Sequence, residues 1–227
     1  KERVSFDKIL RRIETQCDKL SLNRIDATEV AKETINGLFD GITTEEIDHL
    51  TAVNCSEKIR DDPQYDKLAS ALCMSRLHKM TSKDFMEVTN QLYGNKDVFG
   101  KLNPLVSDKY LEFIKDNIEK IQLALADTYH RDYDYDYFGY KTLEKGYLNR
   151  SKTDGFKKIL ELDYKQKDKK GKTKDIQKDT KGNIVERPQH LWMRVAAGLN
   201  MDNLADALET FDGLSNRYFI FGSPTLF

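Results

Sequence analysis

The sequence is poor in cysteine, proline and tryptophan, with 3 Cys, 4 Pro and 1 Trp among 227 residues. Cys17, Cys55 and Cys73 lie far apart, with no C-x-x-C pair and no zinc-type spacing, which excludes a disulfide scaffold and a zinc finger. An odd number of scattered thiols points to a reducing compartment. Each lies on or near an apolar helical stripe and reads as a buried structural thiol. Net charge is also lacking. A formal −1 exerts no global pull on nucleic acid or on an anionic membrane. No run approaches the ~20 apolar residues of a membrane span, and no signal-peptide core stands near the start. What remains, 33% charged and 39% hydrophobic residues, suits a soluble protein of long solvated helices, large enough for one big domain or two small ones.

The first segment, "KERVSFDKILRRIETQCDKL", begins extended and turns helical. Ile9, Leu10, Ile13, Cys17 and Leu20 share one face, with Arg11, Arg12 and Glu14 turned away from it. Ser5 or Asp7 suits its N-cap. In "DATEVAKETINGLF", Asp26 and Glu29 have capping-box spacing, and Gly37 and Gly41 end the pattern. "TTEEIDHLTAVNCSEKIR" predicts a third helix through Ile47, Leu50, Val53 or Asn54, and Ile59. "PQYDKLASALCMSRLHKM" predicts a fourth, with Pro63 near its first turn. These four short helices behind a strand make a compact unit ending near residue 90.

Further on, "DKYLEFIKDNIEKIQLALAD" carries Leu111, Ile114, Ile118, Ile121 and Leu125 at strong helical spacing. "DYDYDYFGYKTLEKGYL" is crowded with aromatics, which reads as domain-joining core rather than a ligand cage. "ERPQHLWMRVAAGLN" and "MDNLADALETFDGLS" predict two more helices. Before them, "KQKDKKGKTKDIQKDTKGN" is Lys-rich and aperiodic, with turn signals at Gly171 and Gly182; it reads as a solvated insertion, since no aromatics interleave the lysines as a nucleic-acid surface would require. The final "YFIFGSPTLF" opens with the β-favouring run Tyr218–Phe221, suited to a strand buried on both faces. A lone buried strand has nothing to pair with, so it is expected to be the first strand of a further domain.

Seven segments, "ERVSFDKI", "GITTEEID", "LHK", "DYFGYKTLEKGYL", "ERPQHLWMRVAAGL", "ALETFDGLSNRYF" and "SPTLF", occur in that order. Together they resemble the N-terminal part of the large (alpha) subunit of class I ribonucleotide reductase, of the eukaryote and viral kind. The resemblance covers the chain apart from the Lys-rich insertion at about 151–183. It implies a mainly α fold: residues 1 to about 90 as a four-helix ATP-cone with a small β cap, 91–215 as a helical region, and 216–227 as the first strand of an incomplete ten-stranded α/β barrel. In the family another strand, with a Lys-Arg pair and a turn Gly, precedes the "ERV" segment. The sequence starts after it, so two phosphate cations are expected to be missing and nucleotide affinity lowered.

The resemblance also implies the site residues. The effector site for ATP or dATP, with Mg, maps onto Glu2, Arg3, Val4, Ser5, Phe6, Asp7 and Lys8, with Thr44, Asp48 and Lys79. A strand running into a helix N-terminus supplies free N–H groups for a triphosphate. Lys8 sits at that junction, and Thr44 lies at the start of the third helix. Asp48 is one turn later on the same face; a carboxylate suits a ribose hydroxyl or a base amine better than a phosphate. From the residues alone, Thr44 reads equally as an N-cap, Asp48 as a solvated helix charge, and Lys8 and Lys79 as surface lysines. Ser223 and Thr225 match positions that hold the substrate diphosphate; alone they read as a polar turn.

The family reduces ribonucleoside diphosphates to deoxyribonucleoside diphosphates by thiyl-radical chemistry, under ATP activation and dATP inhibition. Its catalytic cysteines fall beyond residue 227, so no catalytic residue and no metal ligand is assigned here, and the chain alone is expected to be inactive. The radical metal site is expected in a small (beta) subunit. Other expected partners are further copies of the chain, joined through the cone, and the remainder of the barrel. Neither nucleic acid nor membrane is expected as a partner, and a cytoplasmic location is expected. Two other readings stay open, a free-standing adenine-nucleotide sensor and a helical interaction scaffold.

Overall fold

The i, i+4 spacing of Ile9, Ile13 and Cys17 produces helix α1 (Phe6–Lys19), which buries those three side chains and Gln16. Ser5 is its N-cap residue, in extended conformation. Asp26 caps α2 (Ala27–Asn36) by accepting the Glu29 N–H at 2.9 Å. Thr43 and Glu46 close a reciprocal capping box at α3 (Thr44–Glu57), with bonds of 2.8 and 3.2 Å. The turn before it uses Gly41 at a φ of 88°, a conformation open chiefly to glycine. The fourth helix, α4 (Gln64–Met80), buries residues on nearly every side and is therefore central rather than amphipathic.

The computed structural model describes residues 5–97, 99–152 and 182–227. They fall into two units: the residues up to Lys79 with Asp132–Lys145, and Met80–Arg131 with Gly146–Phe227. Within the first unit α1 packs on α2 and α2 on α3. The aromatic segment contributes α7 (Tyr137–Gly146), whose Tyr140 and Leu143 are buried. The Tyr137 N–H donates to Asp66 Oδ1 at 3.2 Å, and the Tyr140 hydroxyl to Glu144 Oε1 at 2.9 Å. His78 of α4 meets the fully buried carboxylate of Asp132 at 2.7 Å.

Helix α3 departs from expectation. Ile47, Leu50, Val53 and Asn54 are only half-buried, and the inward face is Asp48, Thr51, Ala52 and Cys55. Polar side chains tolerate the interior when each finds a partner. The Thr51 hydroxyl donates to Ile47 O and lies 3.4 Å from the Thr34 hydroxyl, and Asp48 is held by cations.

The second unit contains α5 (Phe85–Tyr93), α6 (Asp108–Thr128), α8 (Pro188–Leu199) and α9 (Leu204–Ser215). Here α6 packs against α5, α8 and α9, and α8 against α9. Hydrophobic spacing did not foresee α5; Asp84 starts it, accepting the N–H groups of Met86 and Glu87. In α6 the expected Leu111, Ile114, Ile121 and Leu125 are buried, joined by Tyr110 and Thr128. Inside the unit His190 Nδ1 accepts the Arg187 N–H at 3.3 Å, which leaves its proton on Nε2, 3.0 Å from the Tyr129 hydroxyl. That hydroxyl donates in turn to Lys83 O at 2.7 Å.

Among the described residues the fold is thus mainly helical with one small antiparallel sheet. Its strands are β1 (Arg150–Ser151) and β2 (Asn183–Ile184), pairing Arg150 with Ile184 and Ser151 with Asn183. The sheet belongs to the second unit and is not the cap expected over the first. The residues expected to form that cap, 1–4, lie outside the described residues, as does most of the Lys-rich insertion. Tyr218–Phe221 is not a strand: its backbone is irregular and Tyr218 and Ile220 are exposed, and a 3₁₀ helix, Ser223–Leu226, follows. Residue preference alone does not make a strand. A ladder needs a neighbour, and none lies beside this run among the described residues.

Candidate functional site

The N-terminal turns of two helices, α1 and α3, frame a cavity of about 260 Å³ in the first unit. Its apolar wall comes from Ile9 and Ile13 of α1, Ile42, Ile47 of α3 and Leu72 of α4. Its polar lining is Ser5, Lys8 and Arg12 from α1, with Thr44, Asp48 and Thr51 from α3. Beside it runs an open polar groove of about 520 Å³ lined by Ser5, Asp7, Lys8, Arg11, Arg12 and Thr15. Ser5, Lys8 and Arg12 border both. Pockets for drug-sized ligands usually span about 300–1,000 Å³. The apolar cavity therefore suits one flat ring system, and any charged remainder of a ligand must lie in the groove.

Electrostatics single out Asp48. Only 3% of it is exposed. Arg12 pairs with Oδ1, and Lys79 of α4 stands 3.8 Å from Oδ2. Burial pushes the Asp48 carboxyl above its ordinary pKa, against the pull of Arg12, Lys79 and, more weakly, Arg76. One carboxylate thus meets cations from α1 and α4 at the cavity wall. The Arg12 guanidinium does not spend all its donors there: Nη2 is buried and has no hydrogen-bond partner among the described residues.

Of the sequence-predicted site residues, the cavity brings together Ser5, Lys8, Thr44 and Asp48, and Lys79 joins them through Asp48. Asp7 is exposed and lines only the groove, while Phe6 is half-buried and lines neither. Glu2, Arg3 and Val4 lie outside the described residues. Arg12 was missed: the spacing put it on the solvent side, whereas its side chain is 27% exposed and ion-paired. The signal was present, because Arg12 follows Lys8 by four residues and so shares its helix face.

Ser223 and Thr225 lie in the second unit. The Ser223 hydroxyl is 2.9 Å from that of Tyr147, and the Thr225 N–H donates to Gly222 O at 2.9 Å. Thr225 lines a separate cavity of about 330 Å³ with Tyr110, Arg194 and Phe227. Ser223 does not line this cavity, so the structure does not join both residues to it. Among the described residues no group of three or more His, Cys, Asp or Glu side chains is placed to hold a metal ion, and no helix is long and apolar enough to cross a membrane.

Comparison with known families gives two matches, the ATP cone domain over residues 1–80 and the ribonucleotide reductase all-alpha domain over residues 174–227. Similar curated proteins include the ribonucleoside-diphosphate reductase large chain 2 of Saccharomyces cerevisiae, 36% identical, and the large chain of Cryptosporidium parvum, 38% identical. The large subunit of variola virus is 36% identical. All three alignments cover 100% of this chain but only 23%, 24% and 26% of the respective relatives. The chain therefore spans about a quarter of the length of the curated relatives it matches.

Proposed function

Because the chain belongs to the family of ribonucleoside-diphosphate reductase large subunits, we propose that its first unit is an adenine-nucleotide effector site governing a reductase. The supporting observation is the placement of one buried carboxylate, Asp48, between Arg12 and Lys79 at the wall of an apolar cavity that opens onto a basic groove. In this reading the adenine ring enters the apolar cavity. The triphosphate, with Mg, runs into the groove toward Lys8, Lys79 and the free N–H groups at the start of α1 and α3. Thr44 donates its hydroxyl to a phosphate oxygen, and Asp48 accepts from a ribose hydroxyl or the base amine. Glu2, Arg3, Val4, Ser5, Phe6 and Asp7 complete the contact segment.

The proposed whole protein reduces ribonucleoside diphosphates to deoxyribonucleoside diphosphates in the cytoplasm, with a small subunit as its radical source. Its proposed division is a cone up to about residue 90, a helical region over 91–215, and a terminal segment leading to a barrel in which Ser223 and Thr225 hold the substrate diphosphate. ATP would activate and dATP inhibit by favouring different quaternary states. The first two helices would carry the contacts between copies. A modest difference in affinity between two states is enough for such a shift.

The test is an NMR titration of the chain with millimolar Mg-ATP, Mg-dATP and Mg-GTP, which also reads weak binding. Amide shifts for ATP and dATP at Lys8, Thr44, Asp48 and Lys79, larger than those for GTP, are expected. No shift at these four positions with either adenine nucleotide would overturn the reading.

A further inference from the structure

We propose that Arg12 is the positioning residue of this site, holding the Asp48 carboxylate aimed as an acceptor so that discrimination between a ribo- and a deoxyribonucleotide depends on it. The inference rests on the adenine-nucleotide reading above. Three observations carry it. Arg12 borders both the apolar cavity and the basic groove. Its Nη1 pairs with Oδ1 of a carboxylate that is 4% exposed. Its Nη2 is buried without a hydrogen-bond partner among the described residues, and a buried guanidinium donor left over in a native interior calls for an acceptor. A nucleotide in the cavity supplies one, while Nη1 keeps the carboxylate from turning away.

Asp48 faces Arg12 and Lys8 from α1, and Lys79, Arg76 and Cys73 from α4. Lys79, at 3.8 Å and 59% exposed, is the weaker partner. Arg12 is thus the chief counterweight to burial. Without it the carboxyl gains its proton at a higher pH, and a protonated carboxyl donates where the site requires an acceptor. A ribose 2′-hydroxyl loses its acceptor; a deoxyribose has no such hydroxyl to lose.

The experiment compares the chain with its R12Q and R12K variants by NMR titration against ATP, dATP and inorganic triphosphate. A carbon-13 carboxyl titration of Asp48 without nucleotide accompanies it. In R12Q, Asp48 is expected to titrate at higher pH, and both nucleotides to bind more weakly. The ratio of dissociation constants should move about tenfold toward dATP at neutral pH and return as the pH is raised through the Asp48 titration. R12K should shift the same way by less, because an ammonium is a point charge without the guanidinium fork. If R12Q does not fold, R12K carries the test. An Asp48 titration unaltered in the variant, or an ATP-to-dATP ratio equal to the wild-type one, overturns the inference. Equal losses for ATP, dATP and inorganic triphosphate also overturn it, making Arg12 a plain phosphate cation. A wild-type chain that binds neither nucleotide removes the effector reading and this inference with it; a wild type that binds, with an unmoved ratio in the variants, removes the inference alone.

Discussion

Glu186 and Arg194 meet in the interior of the second unit as a two-pronged ion pair. Arg194 Nε donates to Oε1 at 2.6 Å and Nη2 to Oε2 at 3.3 Å, with the two side chains 0% and 7% exposed. Nη2 also donates to Leu226 O at 3.1 Å, so the pair ties α8 to the terminal 3₁₀ helix. Removing one member of a buried pair strands the other charge, at a cost of about 3–5 kcal/mol. In a chain of this size that corresponds to a fall of roughly 10 °C in melting temperature. R194M should show such a fall by circular dichroism, and R194M/E186L should recover much of it. A single variant that melts with the wild type would remove the pair's structural role.

The lysine at the junction of cavity and groove yields a binding prediction. Lys8→Ala should weaken Mg-ATP about tenfold or more, since charge-assisted phosphate bonds are among the strong ones. AMP, with a single phosphate, should lose less. Calorimetric or NMR titration of both ligands checks this, and equal loss for the two would place Lys8 away from the distal phosphates.

Asp48 also predicts a pH dependence. Burial raises its carboxyl above the unfolded value of about 3.9, with Arg12 and Lys79 only partly offsetting it. A group whose folded pKa is raised contributes stability that is full below the unfolded pKa and is lost as pH rises through the folded one. The melting temperature of wild type minus that of D48N should therefore become less positive as pH rises from 4 upward. A difference that grows with pH would reverse the assigned direction.

The three thiols should be chemically quiet. Burial pushes Cys17 and Cys73 up to about 11, and Cys55 higher still. At pH 7.5 the thiolate fraction at Cys17 and Cys73 is then below about one in a thousand. Ellman's reagent should react with the native chain only at the rate of unfolding, and fully in denaturant. A thiol that reacts within seconds in the native chain would contradict this.

The legible parts of the molecule were those set by local rules. Capping by Asp26 and the stripes through Ile9, Ile13 and Cys17 or Leu111, Ile114 and Leu125 need only side-chain spacing along one helix. Lys8, Thr44 and Asp48 were singled out by the family resemblance and not by local rules, and all three line the cavity. Helix α3 was misread because hydrophobicity sets its inner face only while polar residues lack partners; Arg12, Lys79 and Thr34 supply them. Helix α5 was overlooked because it is short, with only Phe85, Val88 and Leu92 as its apolar stripe behind the Asp84 cap.

The sequence by itself determined a mainly helical chain of the reductase large-subunit family, because helix periodicity and ordered motifs are properties of neighbours along the chain. The tertiary structure alone decided that Asp132–Lys145 packs with the first four helices and that Tyr218–Phe221 joins no ladder among the described residues. It alone also turned Arg12 inward to meet a buried carboxylate. Each of those outcomes depends on a partner distant in sequence, and burial, pairing and charge neutralisation exist only once that partner is in place.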